Sequence, residues 1–101
     1  MDAAGIIKNF LDEMGKLKAF PAKRKMKIYC LYYLAEKIFP GKTYTEAEIN
    51  ELLNSWHTFH DAATLRRELY NNCFVDRDPS KGTYKRKDIL PDPEEIMKKF
   101  G

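Results

Sequence analysis

The side chains best suited to recognising another molecule fall in one stretch, Asp61–Asn72. At 100° per residue its apolar positions (Ala62, Leu65, Leu69 and Cys73) lie toward one side of a helix, and Asp61 is a favourable N-cap. The outward side then carries Thr64, Arg67 and Asn71. Arginine can pair with guanine, asparagine with adenine, and threonine with a thymine methyl group. The stretch therefore predicts a helix that could read base edges in duplex DNA.

Arg66 lies on the flank of this helix, beside Arg67. It could pair with Glu68 or with a neighbouring helix, or it could join Arg67 in contacting a ligand. The sequence alone leaves both arginines open as readers or as structural struts.

Catalytic and metal-binding chemistry finds little support elsewhere in the chain. No serine or cysteine has the setting of a nucleophile, and no glycine-rich phosphate loop is present. His57, His60 and Cys73 could supply metal ligands, but they lack the paired spacing of a zinc module. The sequence predicts no enzymatic activity, no cofactor and no metal.

Positive charge is concentrated in two segments, although the net charge is only +3. Residues 16–27 carry six cations and no acid, and residues 74–87 carry five cations and two acids. Cations at a helix start oppose the helix dipole, which favours a functional explanation over a merely solvated helix start. The residues predicted to contact phosphates are Lys23, Arg24, Lys25, Lys81, Lys85 and Arg86. Chance asymmetry in a small domain is the alternative.

The elements that would position these residues follow from periodicity and capping signals. Thr45 and Glu48 form a capping box before a third helix, and a turn at residues 78–82 separates two strands. The pattern predicts helices at residues 2–14, 21–38, from 46 onward, 61–72 and 91–100, with strands at 74–77 and 83–86.

This order predicts a mainly α fold with a small β-hairpin, similar to a winged helix-turn-helix with extra N- and C-terminal helices. Residues 1–101 would form a single domain, in which 1–20 are an N-terminal helix and lead-in, 21–87 the winged-helix core and 88–101 a C-terminal tail or helix. Residues 61–72 would be the recognition helix, and 74–87 the wing.

No apolar run is long enough to span a bilayer, and no signal peptide is recognisable. Cys30 and Cys73 have no paired spacing. These features predict a protein of the reducing cytoplasm, with no membrane partner.

Four blocks resemble a bacterial family of uncharacterised domains that occur alone or fused to winged-helix transcriptional regulators. They are Pro-Ala-Lys-Arg-Lys at 21–25, Tyr-Thr-Glu-Ala-Glu-Ile-Asn at 44–50, Leu-Arg-Arg-Glu-Leu at 65–69 and Gly-Thr-Tyr at 82–84. The resemblance covers roughly residues 5–87 and implies a winged-helix-like module connected with transcription. It assigns a role to no residue.

We therefore expect a DNA-binding transcriptional regulator. The alternative is a protein-interaction, dimerisation or regulatory module that does not contact nucleic acid. That alternative predicts an apolar groove or dimer surface involving Ile6, Phe10, Ile96 and Phe100. In either case a homodimer could form through the terminal helices.

Overall fold

The structure, a computed structural model, describes residues 2–100. Within that range it contains five α-helices, a short 3₁₀ helix and a three-stranded sheet. In chain order the elements are α1 (Ala3–Ile6), the 3₁₀ helix (Lys8–Phe10), α2 (Arg24–Ala35), β1 (Thr43–Thr45), α3 (Glu46–Asn54), α4 (Ala62–Asn71), β2 (Val75–Asp78), β3 (Thr83–Arg86) and α5 (Pro93–Phe100). None of these helices is both long enough and apolar enough to cross a membrane.

The sheet is antiparallel, with strand order β1-β3-β2. The predicted hairpin of β2 and β3 is present, and β1 pairs along the free edge of β3, with Tyr44 opposite Tyr84. This third strand lies where the sequence has room for a strand of two or three residues, at 42–44. It makes the fold mixed α/β, whereas the sequence predicted a mainly α chain with a small β-hairpin. Val75, Tyr44 and Tyr84 are buried and attach one face of the sheet to the helices.

The capping signals read from the sequence are confirmed at α3 and α4. The Thr45 hydroxyl accepts a hydrogen bond from the Glu48 amide, and the Glu48 carboxylate accepts one from the Thr45 amide. At α4 the Asp61 side chain accepts from the Thr64 amide. Such caps satisfy amides that have no partner within the helix.

Helix α2 lies at the centre of the core, as its apolar face predicts. Ile28, Leu31 and Leu34 are fully buried. Helices α1 and α5 pack against α2, and the Tyr29 hydroxyl donates to Glu94 of α5 at 2.8 Å. Ala3 of α1 and Ile96 of α5 are buried in this core.

The helix predicted over residues 2–14 is divided into α1 and the 3₁₀ helix, and the prediction is wrong beyond Phe10. Residues 12–16 form a turn in which the Asp12 carboxylate accepts from two amides and Gly15 adopts φ +79°. This turn lets Leu17 become fully buried, with its amide donating to the carbonyl of Trp56. Met14, predicted to be apolar-facing, is 76% exposed. Long-range backbone pairing at Leu17 outweighs the local helical pattern.

Helix α4 ends in a Schellman motif rather than continuing to Cys73. The Phe74 amide donates to the carbonyl of Leu69 at 2.9 Å, and the Cys73 amide to that of Tyr70 at 3.1 Å. Cys73 sits in the left-handed position of the motif with φ +66° and is exposed. Its predicted place on the apolar side of the helix is therefore wrong.

Candidate nucleic-acid interface

The start of α4 is held in place by His57, which is 4% exposed. Nδ1 lies 2.7 Å from the carbonyl oxygen of Leu53, and the Asp61 amide donates to Nε2 at 2.9 Å. A carbonyl can only accept and an amide N–H can only donate, so Nδ1 is the donor of the ring and Nε2 its acceptor. His57 thus connects the end of α3 to the N-cap of α4 and fixes the direction in which α4 leaves the core.

Arg66 is a structural residue that joins α4 to α3. Its Nη1 donates to Oδ1 of Asn50 at 2.6 Å, and its Nη2 lies 2.9 Å from Oε1 of Glu46. Its guanidinium carbon lies 5.7 Å from the ring centroid of Tyr84 in the sheet. The side chain is only 11% exposed. Of the two interpretations left open by the sequence, the contacts favour a strut for Arg66.

Arg67, the next residue, is exposed on α4 as the helical period predicts. Its Nη2 donates to the hydroxyl of Thr64, one turn earlier, at 3.3 Å. Asn71, one turn later, is also exposed, and Thr64 is half-buried. The three residues proposed as base readers therefore lie on one side of α4.

Arg77 on β2 was not among the predicted site residues, yet it lies beside them. It is exposed and stands opposite Tyr84 in the register of the hairpin. Directly paired residues in antiparallel strands project from the same face, so Arg77 faces the α4 side of the sheet. Alternation with the buried Val75 agrees with this direction, but Phe74 is buried as well, so the sequence alone leaves the phase of the strand open.

Arg67, Asn71 and Arg77, but not Thr64, line a cleft of about 320 Å³ between α4 and the hairpin, called here the α4–hairpin cleft. Its lining residues are Glu46, Arg66, Arg67, Tyr70, Asn71, Arg77 and Tyr84. The one carboxylate in this lining, Glu46, is paired with Arg66. Arg67 and Arg77 have no acidic partner in the described part of the chain. The cleft thus presents two available guanidinium groups, with an amide and two tyrosines, and suits a phosphate or a carboxylate.

Lys81 and Lys85 lie around the hairpin from this cleft. Both are exposed and line a second depression of about 250 Å³, which shares Arg77 and Tyr84 with the first. Lys85 alternates with the buried Tyr84 and so projects from the opposite face of the sheet.

Two aspartates reduce the positive charge of this second depression. Asp76 forms an ion pair with Lys87, with 2.6 Å between Oδ1 and Nζ. Oδ1 of Asp78 accepts hydrogen bonds from the hydroxyl and amide of Ser80 and from the amide of Lys81. The Ser80 hydroxyl contributes most to lowering the pKa of Asp78. These hydrogen bonds hold the charged carboxylate of Asp78 within the turn.

Two predicted phosphate contacts, Arg24 and Arg86, are engaged within the chain. Nη1 of Arg86 donates to the carbonyl of Ile38 at 3.1 Å, and Nη2 of Arg24 donates to Oδ1 of Asn72 at 3.4 Å. The Nε atoms of both arginines are buried. Both guanidinium groups therefore link elements of the fold. The sequence analysis predicted them to be free surface charges. Lys23, Lys25, Lys81 and Lys85 are exposed.

Part of the apolar surface predicted by the alternative interpretation is also present. Ile6 and Phe10 line a depression of about 420 Å³, called here the apolar groove, together with Asn9, Pro21, Ala22, Lys23 and Met26. Ile96 does not contribute, since it is 3% exposed and belongs to the core. The side chain of Phe100 lies outside the described part of the structure.

Residues with metal-binding side chains are dispersed. Among residues 2–100 no group of three His, Cys, Asp or Glu side chains is close enough to hold a metal ion. Both nitrogens of His57 make hydrogen bonds to backbone groups. Cys30 and Cys73 are free thiols, and burial raises the pKa of Cys30 to about 12.

Residues 16–86 match the family described as an uncharacterized protein conserved in bacteria (DUF2087). The chain belongs to that family, and the match includes α2, the three strands, α3 and α4. No curated protein and no solved structure matches the chain.

Proposed function

We propose that the protein is a DNA-binding transcriptional regulator of the cytoplasm that uses a winged helix-turn-helix. The element order α2-β1-α3-α4-β2-β3, with sheet order β1-β3-β2, supports this assignment. In such a fold the second helix of the helix-turn-helix, here α4, enters the major groove. The hairpin of β2 and β3 is the wing. The resemblance to domains fused to winged-helix regulators agrees with this assignment.

The observation that carries the proposal is the shared position of Arg67, Asn71 and Arg77. The first two lie on the exposed side of α4, and the third reaches the same cleft from the hairpin. Arg67 and Asn71 would contact base edges, with Thr64 supporting the Arg67 side chain through the hydrogen bond between them. Arg77, Lys81 and Lys85 would contact phosphates, and Lys23 and Lys25 would add to the attraction between protein and DNA.

Titration of labelled duplex DNA by fluorescence anisotropy at 50–200 mM salt tests this proposal. A duplex selected from a random library supplies the specific site, and an unselected duplex supplies the non-specific reference. We expect affinity to fall steeply with salt, and Arg77→Ala to reduce the slope of log K against log salt by about 0.9. Arg67→Ala should lower the affinity for the selected duplex about tenfold or more.

Arg67→Lys distinguishes base reading from simple charge attraction, because lysine keeps the charge but lacks the planar fork. Loss of sequence preference with retained non-specific binding would identify Arg67 as a base reader. Lys98→Ala, which removes an exposed cation on α5, is the control and should change neither affinity. Binding without salt dependence, or binding unchanged in the Arg67→Ala/Arg77→Ala double variant, would reject the proposal.

A module that binds another protein instead of DNA is the second candidate, and the exposed apolar groove favours it. It predicts no saturable duplex binding at any salt concentration. Under that candidate Arg67 and Arg77 could be replaced without loss of function, while substitutions at Ile6 could not. The same titration therefore separates the two candidates.

A further inference from the structure

The apolar groove lies between the N-terminal segment and the start of α2. Ile6 and Phe10 form one wall, and Pro21 and Met26 belong to the other. Ile6 is 40% exposed, although isoleucine is usually buried. The first wall precedes the family match at residues 16–86, so this feature extends beyond the matched region.

The groove itself has the size of a small-molecule site, whereas the protein partner of the second candidate would have to cover a larger surface around it. Its volume of about 420 Å³ falls within the range of roughly 300–1,000 Å³ found for small-ligand sites. A stable protein partner would need about 20–30 residues on this side, and only seven residues line the groove.

The charge at the groove selects an anion. Among the described residues that line the groove, Lys23 is the only charged one; it is exposed, and none of the seven is acidic. Lys23 is also the N-cap of α2 and makes no side-chain hydrogen bond to that helix. The positive end of the helix dipole therefore adds to the Lys23 charge. Phe10 and Met26 provide an adaptable apolar surface for the uncharged part of a ligand.

We propose that the apolar groove binds a small apolar or aromatic monocarboxylate, whose carboxylate pairs with Lys23. The hydrocarbon part lies between the Ile6–Phe10 wall and Met26. This site is separate from the α4–hairpin cleft, with which it shares no lining residue.

Isothermal titration calorimetry of the full chain with 4-phenylbutyrate and with 4-phenylbutan-1-ol tests the proposal without DNA. The two probes share their apolar part and differ in charge. We expect saturable one-to-one binding of the acid and about fivefold weaker binding of the alcohol, the size of one exposed ion pair. Lys23→Met should weaken binding of the acid about fivefold and leave binding of the alcohol unchanged.

Matched variants separate the groove from general surface effects. Ile6→Glu should abolish binding of the acid, while Ile89→Glu, at an isoleucine 88% exposed and outside the groove lining, should not. Lys98→Met is the matched control for Lys23→Met. Thermal unfolding of each variant shows whether it has folded, and Lys23→Met, at an exposed side chain, keeps the test decisive if Ile6→Glu does not fold.

Three outcomes would overturn the proposal. The first is no saturable binding of the acid. The second is equal affinity for acid and alcohol, or no effect of Lys23→Met. The third is a dimer, seen by light scattering, that Ile6→Glu dissociates, since the groove would then be covered by a second copy of the chain.

Discussion

Arg66 and Glu46 form an ion pair between α4 and α3, with 2.9 Å between Nη2 and Oε1. The arginine is 11% exposed and the glutamate 58%. The following residue, Arg67, takes no part in this ion pair and is exposed, although it lines the same cleft. Two consecutive arginines therefore have different environments, one in the interior of the helix pair and one at the surface.

We expect Arg66→Met to lower the free energy of unfolding by about 2 kcal/mol, because it removes charged hydrogen bonds to Glu46 and Asn50. Arg67→Met should change it by no more than about 0.5 kcal/mol, as is usual for an exposed residue. Urea denaturation followed by Trp56 fluorescence measures both. Equal effects of the two substitutions would show that Arg66 is not a strut.

The elements fixed by local signals were predictable from the sequence. The capping box joins Thr45 and Glu48, and the N-cap Asp61 bonds to Thr64, so each cap involves residues three apart. Both caps are present as the sequence predicted. The outward direction of Arg67 follows from the helical period alone. Local chemistry therefore sufficed to place α3, α4 and the exposed side of α4.

The parts that the sequence did not predict depend on distant contacts. Arg24 and Arg86 each bond to a residue 48 positions away, and nothing beside them in the chain indicates those partners. The N-terminal helix is cut short because Leu17 pairs with the backbone around His57. Arg77 joins the cleft only because the hairpin register sets it opposite Tyr84.

His57 provides a second stability test, since its ring makes hydrogen bonds to two backbone groups. His57→Phe keeps a ring of similar size but leaves the Asp61 amide without its partner. It also removes one of the hydrogen bonds to the Leu53 carbonyl, which still accepts from the Trp56 amide. We expect His57→Phe to lower the free energy of unfolding by about 2 kcal/mol, measured by thermal or urea unfolding. His60→Asn is the control, because asparagine tolerates the positive φ of 53° at that exposed position. A loss in His60→Asn as large as in His57→Phe would contradict this assignment.

The hydrogen bond between Tyr29 and Glu94 of α5 should make the free energy of unfolding depend on pH. Its hydroxyl donates to Glu94, and this hydrogen bond, followed by burial, raises the pKa of Tyr29 above its ordinary value near 10. The folded state therefore holds the phenolic proton more tightly than the unfolded state. The resulting stabilisation is fully present below about pH 10 and is lost as pH rises through the raised pKa.

Tyr29→Phe should accordingly lower the free energy of unfolding by about 1 kcal/mol at pH 7. The difference between wild type and variant should shrink as the pH rises above about 10. Urea denaturation of both proteins at several pH values measures it. Tyr70→Phe, at an exposed tyrosine, should differ little from wild type at any of them. A Tyr29→Phe deficit that stays constant through the alkaline range would exclude the Glu94 hydrogen bond as its cause.

Cys73 occupies the position of the Schellman motif at which glycine is the usual residue. Its φ of +66° strains any residue that has a Cβ, and the side chain is exposed, so a substitution there creates no cavity. We expect Cys73→Gly to raise the free energy of unfolding by about 0.5 to 1 kcal/mol, because the strain relieved exceeds the added flexibility of the unfolded chain. Cys73→Ala keeps the Cβ and should have little effect. Thermal unfolding under reducing conditions compares the three proteins, and a Cys73→Gly variant less stable than Cys73→Ala would mean that the thiol makes a stabilising contact at the end of α4.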